Sequence, residues 1–357
     1  MLFRSNVVVR GEGENTFREV VAKLSRRNLN FEDIAGIAYV ENGECRITPE
    51  RPFIPNLDHL PFPAWELLPR LKSSFFRDIY SSVIETSRGC SYGCEYCAVQ
   101  SFWKRTYRKK TNERIIEELK YLKFKLGCDQ IYFIDDVFAL DAIEYTKLFE
   151  MMLKQNIKVK GFSQIRPDTV AENPEMIKLA ARAGFWGFLV GFESYDDEEL
   201  AIIGKIGSRE INIRAAEILR QNNIGVYGVH MFGMPGFDRK KFAKTFKTGM
   251  EYSDTFRLSR FSPLPSTPVY KKLGVEGMIE DRSSRFVPYV HKLKTRGDRW
   301  MNLLYYWYEF RSLFSLAALK KICRSRGATR RLELRSYLVA FRYVAYLLLR
   351  KIGIRIL

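Results

Sequence analysis

Residues 80–97 read YSSVIETSRGCSYGCEYC. The apolar run from Tyr80 to Thr86 has the composition of a strand. Three cysteines follow it within eight residues, Cys90, Cys94 and Cys97, in the spacing C-x3-C-x2-C. Thiolates are the protein ligands that hold iron–sulfur clusters, and a four-iron cluster normally takes four of them. This triplet supplies three and no fourth cysteine is near, so one iron would stay open to a small-molecule ligand. A structural zinc site and unpaired core cysteines are the rival readings. Zinc in a closed site takes four protein ligands, usually from two paired knuckles, and no second Cys or His pair follows here.

With the strand before it and the aromatic Tyr96 ahead of the last cysteine, the motif resembles the signature of radical S-adenosylmethionine (SAM) enzymes. The resemblance implies a [4Fe-4S] cluster held by Cys90, Cys94 and Cys97, which would be at once metal ligands and catalytic residues. It implies that the open iron is chelated by the amino and carboxylate groups of SAM. Reductive cleavage of SAM would then give a 5′-deoxyadenosyl radical that abstracts hydrogen from substrate. An electron donor of the flavodoxin or ferredoxin type is implied as a partner, and Tyr96 would lie near the adenine.

Downstream, from Ser81 to about Phe261, strand and helix patterns alternate. Strands are expected at 82–86, 130–134, 158–163, 187–191, 225–232 and 255–261, with helices near 113–125, 142–155, 174–183, 208–222 and 239–252. Six such units call for a parallel sheet with helices outside, two short of an eightfold barrel. The expected fold class is α/β, and the family resemblance makes it an open (β/α)6 partial TIM barrel. Parallel sheets place their chemistry at the carboxyl ends of the strands, and polar residues gather there: Asp135-Asp136, Gln164 and Arg166, Glu193-Ser194, and His230.

By the resemblance these are cofactor-binding positions. Asp135 and Asp136 stand where the SAM amino group is satisfied, and Glu193 and Ser194 where polar groups meet its ribose or carboxylate. Gln164 and Arg166 suit the SAM carboxylate or the substrate, since a carboxylate takes guanidinium or amide donors. His230 reads either as an acid/base or as a core residue, with packing favoured. The segment QSFWKRTYRKK at 100–110 reads either as cations beside the cluster loop or as a solvated face before a helix.

Upstream, Val7-Val8-Val9 reads as a strand, and Thr16 with Glu19 as a capping box opening a helix to about Leu24. Strands at 37–40 and 45–47 flank Asn42-Gly43, a hairpin signal. VVRGEGENTF, DIAGIAYVENG and NLDHLPFPAWELLP are similar to the junction between a cobalamin-binding domain and a radical SAM core. The Asp-x-His-x-x-Gly loop that binds cobalamin in that family has no counterpart, so cobalamin stays an open question. Residues 1–48 are expected to be a remnant of that domain. The linker, expected over 49–75, holds six prolines between Pro49 and Pro69 and packs through Phe53, Phe62 and Trp65. Residues 76–281 form the expected core.

The chain has 357 residues and a formal net charge of +18. From Arg282 to Leu357 there are 18 Lys and Arg against three acids, so the basic character belongs to that region, 282–357, which is expected to be helical and aromatic. Leu334, Leu338, Phe341, Ala345 and Leu348 share one helical face, and Arg342 and Arg350 interrupt any span of transmembrane length. Over 300–357 this reads as a cap on the core, or as an amphipathic surface for an anionic membrane. No RNA-binding module is visible, which weighs against nucleic acid. The six cysteines make no disulfide pattern and no secretory signal opens the chain, so a reducing cytoplasmic location is expected, with peripheral contact to the inner membrane face through the tail. The functional expectation is radical C-methylation or cyclisation of a small hydrophobic or lipid-like substrate, as in relatives of similar layout such as hopanoid methylases. The rivals are RNA methylthiolation and a non-catalytic iron–sulfur scaffold.

Overall fold

The computed structural model describes residues 6–27, 30–67, 81–234, 238–272, 279–284 and 287–293. Its centre is a parallel sheet of six strands: β1 (Ser81–Ile84), β2 (Gln130–Phe133), β3 (Lys160–Ile165), β4 (Gly187–Glu193), β5 (Gly225–Phe232) and β6 (Thr255–Arg260). Each strand lies beside its predecessor, in the order β6-β5-β4-β3-β2-β1, and β1 and β6 are the two edges. That is a sheet wound in one direction, as in a (β/α) barrel, and left open.

Most of the crossover helices start on a side chain that supplies an otherwise missing acceptor. Thr111 accepts from the Arg114 amide to open Asn112–Lys120, Asp141 from Glu144 to open Ala142–Lys154, and Ser208 from Ile211 to open Arg209–Gln221. The first of these continues as one π turn, Tyr121–Lys125.

The period-two pleat sorts the strands' side chains. Ile84, Ile131, Phe133, Phe188, Val190, Phe192 and Val226 face the helices and form one core with Leu148, Phe149, Ile177, Ala215 and Leu219. The opposite face lines the barrel interior. At its amino end Tyr132, Phe162, Trp186 and Tyr227 pack ring against ring, with centroids 5.1–5.9 Å apart, and form an aromatic floor. Gly187 leaves room for it, because a Cβ there would stand 2.9 Å from the Tyr227 ring.

The residues up to Pro61, with Arg108–Lys110, form a second compact unit. In it Val7–Val9, Ile37–Glu41 and Glu44–Ile47 make a three-stranded antiparallel sheet. Asn42 and Gly43 turn its hairpin with φ of 50° and 83°, as the Asn-Gly signal predicts. The capping box does not form. The helix runs Gly13–Ser25 from Glu12, which puts Thr16 inside it with its hydroxyl on the Ala35 carbonyl, while Glu19 pairs with Arg51. Glu12 instead holds Arg108 and the Ile54 amide, so its side chain serves tertiary contacts and makes no cap.

Shorter helices escaped the sequence pattern: Ala98–Trp103, Pro167–Glu172, Asp197–Ile202 and Pro268–Lys272. Six residues or fewer carry too little periodicity to register. The helical reading of the basic region is corrected at its start. Ile279–Ser284 and Val287–Leu293 pair as antiparallel strands. The helix expected over 300–357, with its membrane-facing reading, lies outside the described residues, as do residues 68–80, the end of the expected linker and the start of the expected core. No described helix is long and apolar enough to cross a membrane.

Candidate active site

The cysteine loop leaves β1 and lies over the carboxyl end of the sheet. Two short strands frame it, Ser87–Gly89 and, beyond the cysteines, one that starts at Tyr107. Gly89 has φ +87°, and a Cβ there would meet the Thr106 carbonyl oxygen at 2.2 Å, so only glycine fits this entry to the loop. The loop is tied down along its length. The Glu95 amide donates to Ile203 O (3.0 Å), the Val269 amide donates to Glu95 O (3.1 Å), and Gln100 Nε2 donates to Cys94 O (2.6 Å). Arg105, one of the cations of the basic segment, lies over Gly93.

Cys94 is buried, and Cys90 and Cys97 are partly so. Burial pushes the thiols of Cys90 and Cys97 up, even though backbone amides, Tyr92 at Cys90 and Val99 and Gln100 at Cys97, pull the other way. Among the described residues no group of three or more His, Cys, Asp or Glu is gathered as for one metal ion. Thiolates on separate irons of a cluster need no such convergence. The donor set is three soft sulfurs supported by amide and guanidinium N–H groups, and it fits a [4Fe-4S] cluster.

Arg166, at the end of β3, is almost wholly committed. Its guanidinium grips Asp168 at 2.8–3.1 Å, reaches Ile206 O at 3.1 Å and Cys94 Sγ at 3.5 Å, and stacks on the Tyr92 ring at 3.5 Å. Burial works against its charge, but the hydrogen bonds and charge of Asp168 outweigh this and hold its pKa above the usual arginine range. Gln164, one pleat earlier, donates to the backbone carbonyls of Asp135 (2.7 Å) and Asp136 (2.9 Å).

The sequence expectation grouped Asp135 with Asp136, and the structure separates them. Asp135 is 1% exposed. One oxygen accepts from the amides of Thr86 (2.6 Å) and Ser87 (3.1 Å), the other from the hydroxyls of Thr86 and Tyr145. Both oxygens therefore brace the turn into the cysteine loop. Burial still pushes its carboxyl up. Asp136 is half-buried and accepts from the Gly89 amide (3.0 Å), which leaves carboxylate capacity at the loop's base.

Glu193 and Ser194 also part. β4 bulges at Phe192, so that His230 of β5 pairs with Glu193, and Glu193 takes φ +62°. Its Oε1 accepts from Tyr96 Oη and Lys205 Nζ, both at 3.0 Å, and Lys205 also donates to Gly191 O. Gly191 is required for this arrangement, because a Cβ would sit 2.6 Å from Glu193 Oε1. Burial and then the Glu193 charge push the Tyr96 phenol far up, so Tyr96 is a neutral donor. Ser194 is fully buried on the helix side, bonded to Glu199 (2.5 Å) and Thr245 (3.0 Å). His230 is fully buried there too, its ring stacked on Phe256 at 4.5 Å, and burial pushes its pKa down to about 3. Its packing role is the one the sequence favoured.

Around the sheet's carboxyl end the structure thus gathers Cys90, Cys94, Cys97, Tyr96, Asp136, Gln164, Arg166 and Glu193. Asp168 and Lys205, which hold Arg166 and Glu193, carried no signal in the sequence. They lie in loops and helices with no periodicity or motif to mark them.

A model of the radical SAM superfamily matches residues 84–249, from β1 into the helix before β6. The chain belongs to the radical SAM superfamily. It is 30% identical over 267 residues to an uncharacterized methyltransferase of Pyrococcus horikoshii, covering 74% of this chain and 57% of that protein. It is 31% identical over 262 residues to the hopanoid C-3 methylase of Methylococcus capsulatus, covering 73% of this chain and 48% of that one. The chain therefore spans about half the length of these curated relatives. In fold it matches the cobalamin-dependent SAM radical enzyme OxsB, solved with aqua-cobalamin and SAM, at a TM-score of 0.69 and 18% identity, over 96% of this chain and 56% of that one. In this radical SAM protein the fold is a six-stranded parallel sheet with the cysteine loop at its carboxyl end.

Proposed function

We propose that this chain is a radical SAM enzyme that C-methylates or cyclises a small hydrophobic substrate. One observation carries the reading: three cysteines, Tyr96 and Glu193 stand together over the carboxyl end of the parallel sheet. Cys90, Cys94 and Cys97 would hold a [4Fe-4S] cluster with one iron left to SAM, and when bound the cluster supplies the electron that cleaves SAM reductively. Tyr96 and Glu193 would present a neutral hydroxyl and a fixed carboxylate to the SAM nucleoside, whose ribose hydroxyls donate well to carboxylate. Asp136 would accept from the SAM ammonium.

The barrel interior supports the substrate class. Val83 and Ile134 are 39% and 55% exposed above the aromatic floor, and Leu189, Val229 and Met231 share that face. Apolar side chains left open inside a barrel suit an apolar guest, with Gln164 as the polar group within reach. The methylase and methyltransferase names of the two relatives support carbon methylation. A low-potential electron donor of the flavodoxin or ferredoxin type completes the system.

The test is anaerobic: reconstitute iron and sulfide, add dithionite and SAM, and quantify 5′-deoxyadenosine for wild type and Cys94→Ala. Product from wild type alone supports the proposal. A loaded wild-type protein that binds SAM and gives none overturns it. Repeating the assay with cobalamin separates methyl transfer, expected only with cobalamin, from cyclisation, expected without it.

A further inference from the structure

We infer that Arg166 sets the reduction potential of the cluster through Cys94, and does not bind the SAM carboxylate. The inference rests on the cluster reading above and goes beyond it.

The guanidinium has five N–H donors. Nε and one Nη2 hydrogen go to Asp168, the second Nη2 hydrogen faces Ile206 O, and Nη1 points to Cys94 Sγ at 3.5 Å. A carboxylate wants two parallel donors from one edge of the guanidinium, and Asp168 already occupies the edge formed by Nε and Nη2. One face of the plane is covered by Tyr92 at 3.5 Å. Arg166 is 8% exposed, so its charge acts across little water.

A cation and an N–H donor beside a thiolate ligand stabilise the more negative state of the cluster. Adding one electron from a low-potential donor makes the cluster and its thiolates one unit more negative, and the Arg166 charge offsets part of that. Asp168 opposes it electrostatically and locates it geometrically, so the pair is a positioned, partly screened charge whose strength the Asp168 carboxylate tunes. Three neighbouring elements converge on this pair: the cysteine loop through Tyr92 and Cys94, the end of β3, and the Ile206 carbonyl after the helix Asp197–Ile202.

The experiment is a redox titration of the reconstituted protein, read by the electron paramagnetic resonance signal of the reduced cluster, with iron and sulfide content measured on each sample. Removing Arg166 alone would leave Asp168 buried and unpaired, so D168N is compared with R166M/D168N. The double variant is expected to reduce about tenfold less favourably than D168N, a shift of about 59 mV to lower potential for a one-electron couple. R166K, which keeps the charge and loses the fixed Nη1 contact, is expected to shift in the same direction by about threefold. Midpoints that agree within a factor of two between D168N and the double variant would overturn the inference. If the double variant does not load a cluster, R166K decides: a loaded cluster at the wild-type potential overturns it as well. A wild-type protein that loads no cluster would instead sink the cluster reading, which the iron content reports separately.

Discussion

Glu193 and Ser194 are adjacent in the chain, and they end in opposite environments. Glu193 turns into the barrel, where Tyr96 and Lys205 hold it under the cysteine loop. Ser194 turns towards the helices, where Glu199, Thr245 and the Asp196 amide use up its hydroxyl. Both are buried, at 7% and 0%. Burial therefore does not separate binding groups from bracing ones. What separates them is the face of the pleat, and with it whether the hydrogen-bond partners belong to the protein alone or leave capacity for a ligand. Asp136 and Asp135 repeat the division at the end of β2, and Arg166 shows a third case, a charged group facing the site whose donors are nearly all spent.

The largest expected effect comes from removing the inward carboxylate. Glu193→Ala leaves Lys205, 5% exposed in its side chain, as an unpaired buried ammonium, which costs about 3–5 kcal/mol in urea denaturation. It should also weaken S-adenosylhomocysteine binding, measured by calorimetry, by about tenfold, the worth of one hydrogen bond to a charged group. Retained affinity would erase the distinction between the two faces.

The outward face predicts a pH signature. His230 has a folded pKa near 3, against an ordinary value of 6.5, because burial disfavours the imidazolium. Below 6.5 the unfolded chain takes up a proton that the folded ring refuses, so this contribution is whole above pH 6.5 and is lost as pH falls towards 3. Between pH 6.5 and 5 the loss is about 2 kcal/mol, at ~1.4 kcal/mol per unit. His230→Leu should flatten that slope and leave 5′-deoxyadenosine formation unchanged at pH 7.5. A slope identical to wild type would show that the ring is protonated in the fold.

Ser194→Ala is the finest test. It takes the hydroxyl from Glu199 and should cost about 1–3 kcal/mol of stability, with S-adenosylhomocysteine affinity within a factor of two of wild type. A tenfold loss of affinity would restore Ser194 to the cofactor site, where sequence reasoning put it.

Much of this was legible in the chain. The C-x3-C-x2-C spacing after an apolar strand carried the chemistry, because ligand count and ligand type are properties of the residues themselves. The six strands and five longer crossover helices were legible because an amphipathic period repeats over enough residues to be seen. The four short helices were not, nor was the strand pair at 279–293, which the excess of basic residues disguised. Thr16 with Glu19 made a good capping box on paper and lost to tertiary contacts of Glu12 and Arg51.

By itself, then, the sequence determined the cysteine triplet, the parallel α/β core and the strand ends where polar residues collect. Only the tertiary structure decided which of those residues face the site, because a strand's pleat and the bulge at Phe192 assign faces one residue at a time. It alone brought Asp168 to Arg166, Arg166 to Cys94 and Lys205 to Glu193. The last two pairs close over 72 and 12 residues of chain, in the low-dielectric interior where a charge must find its partner or not be buried.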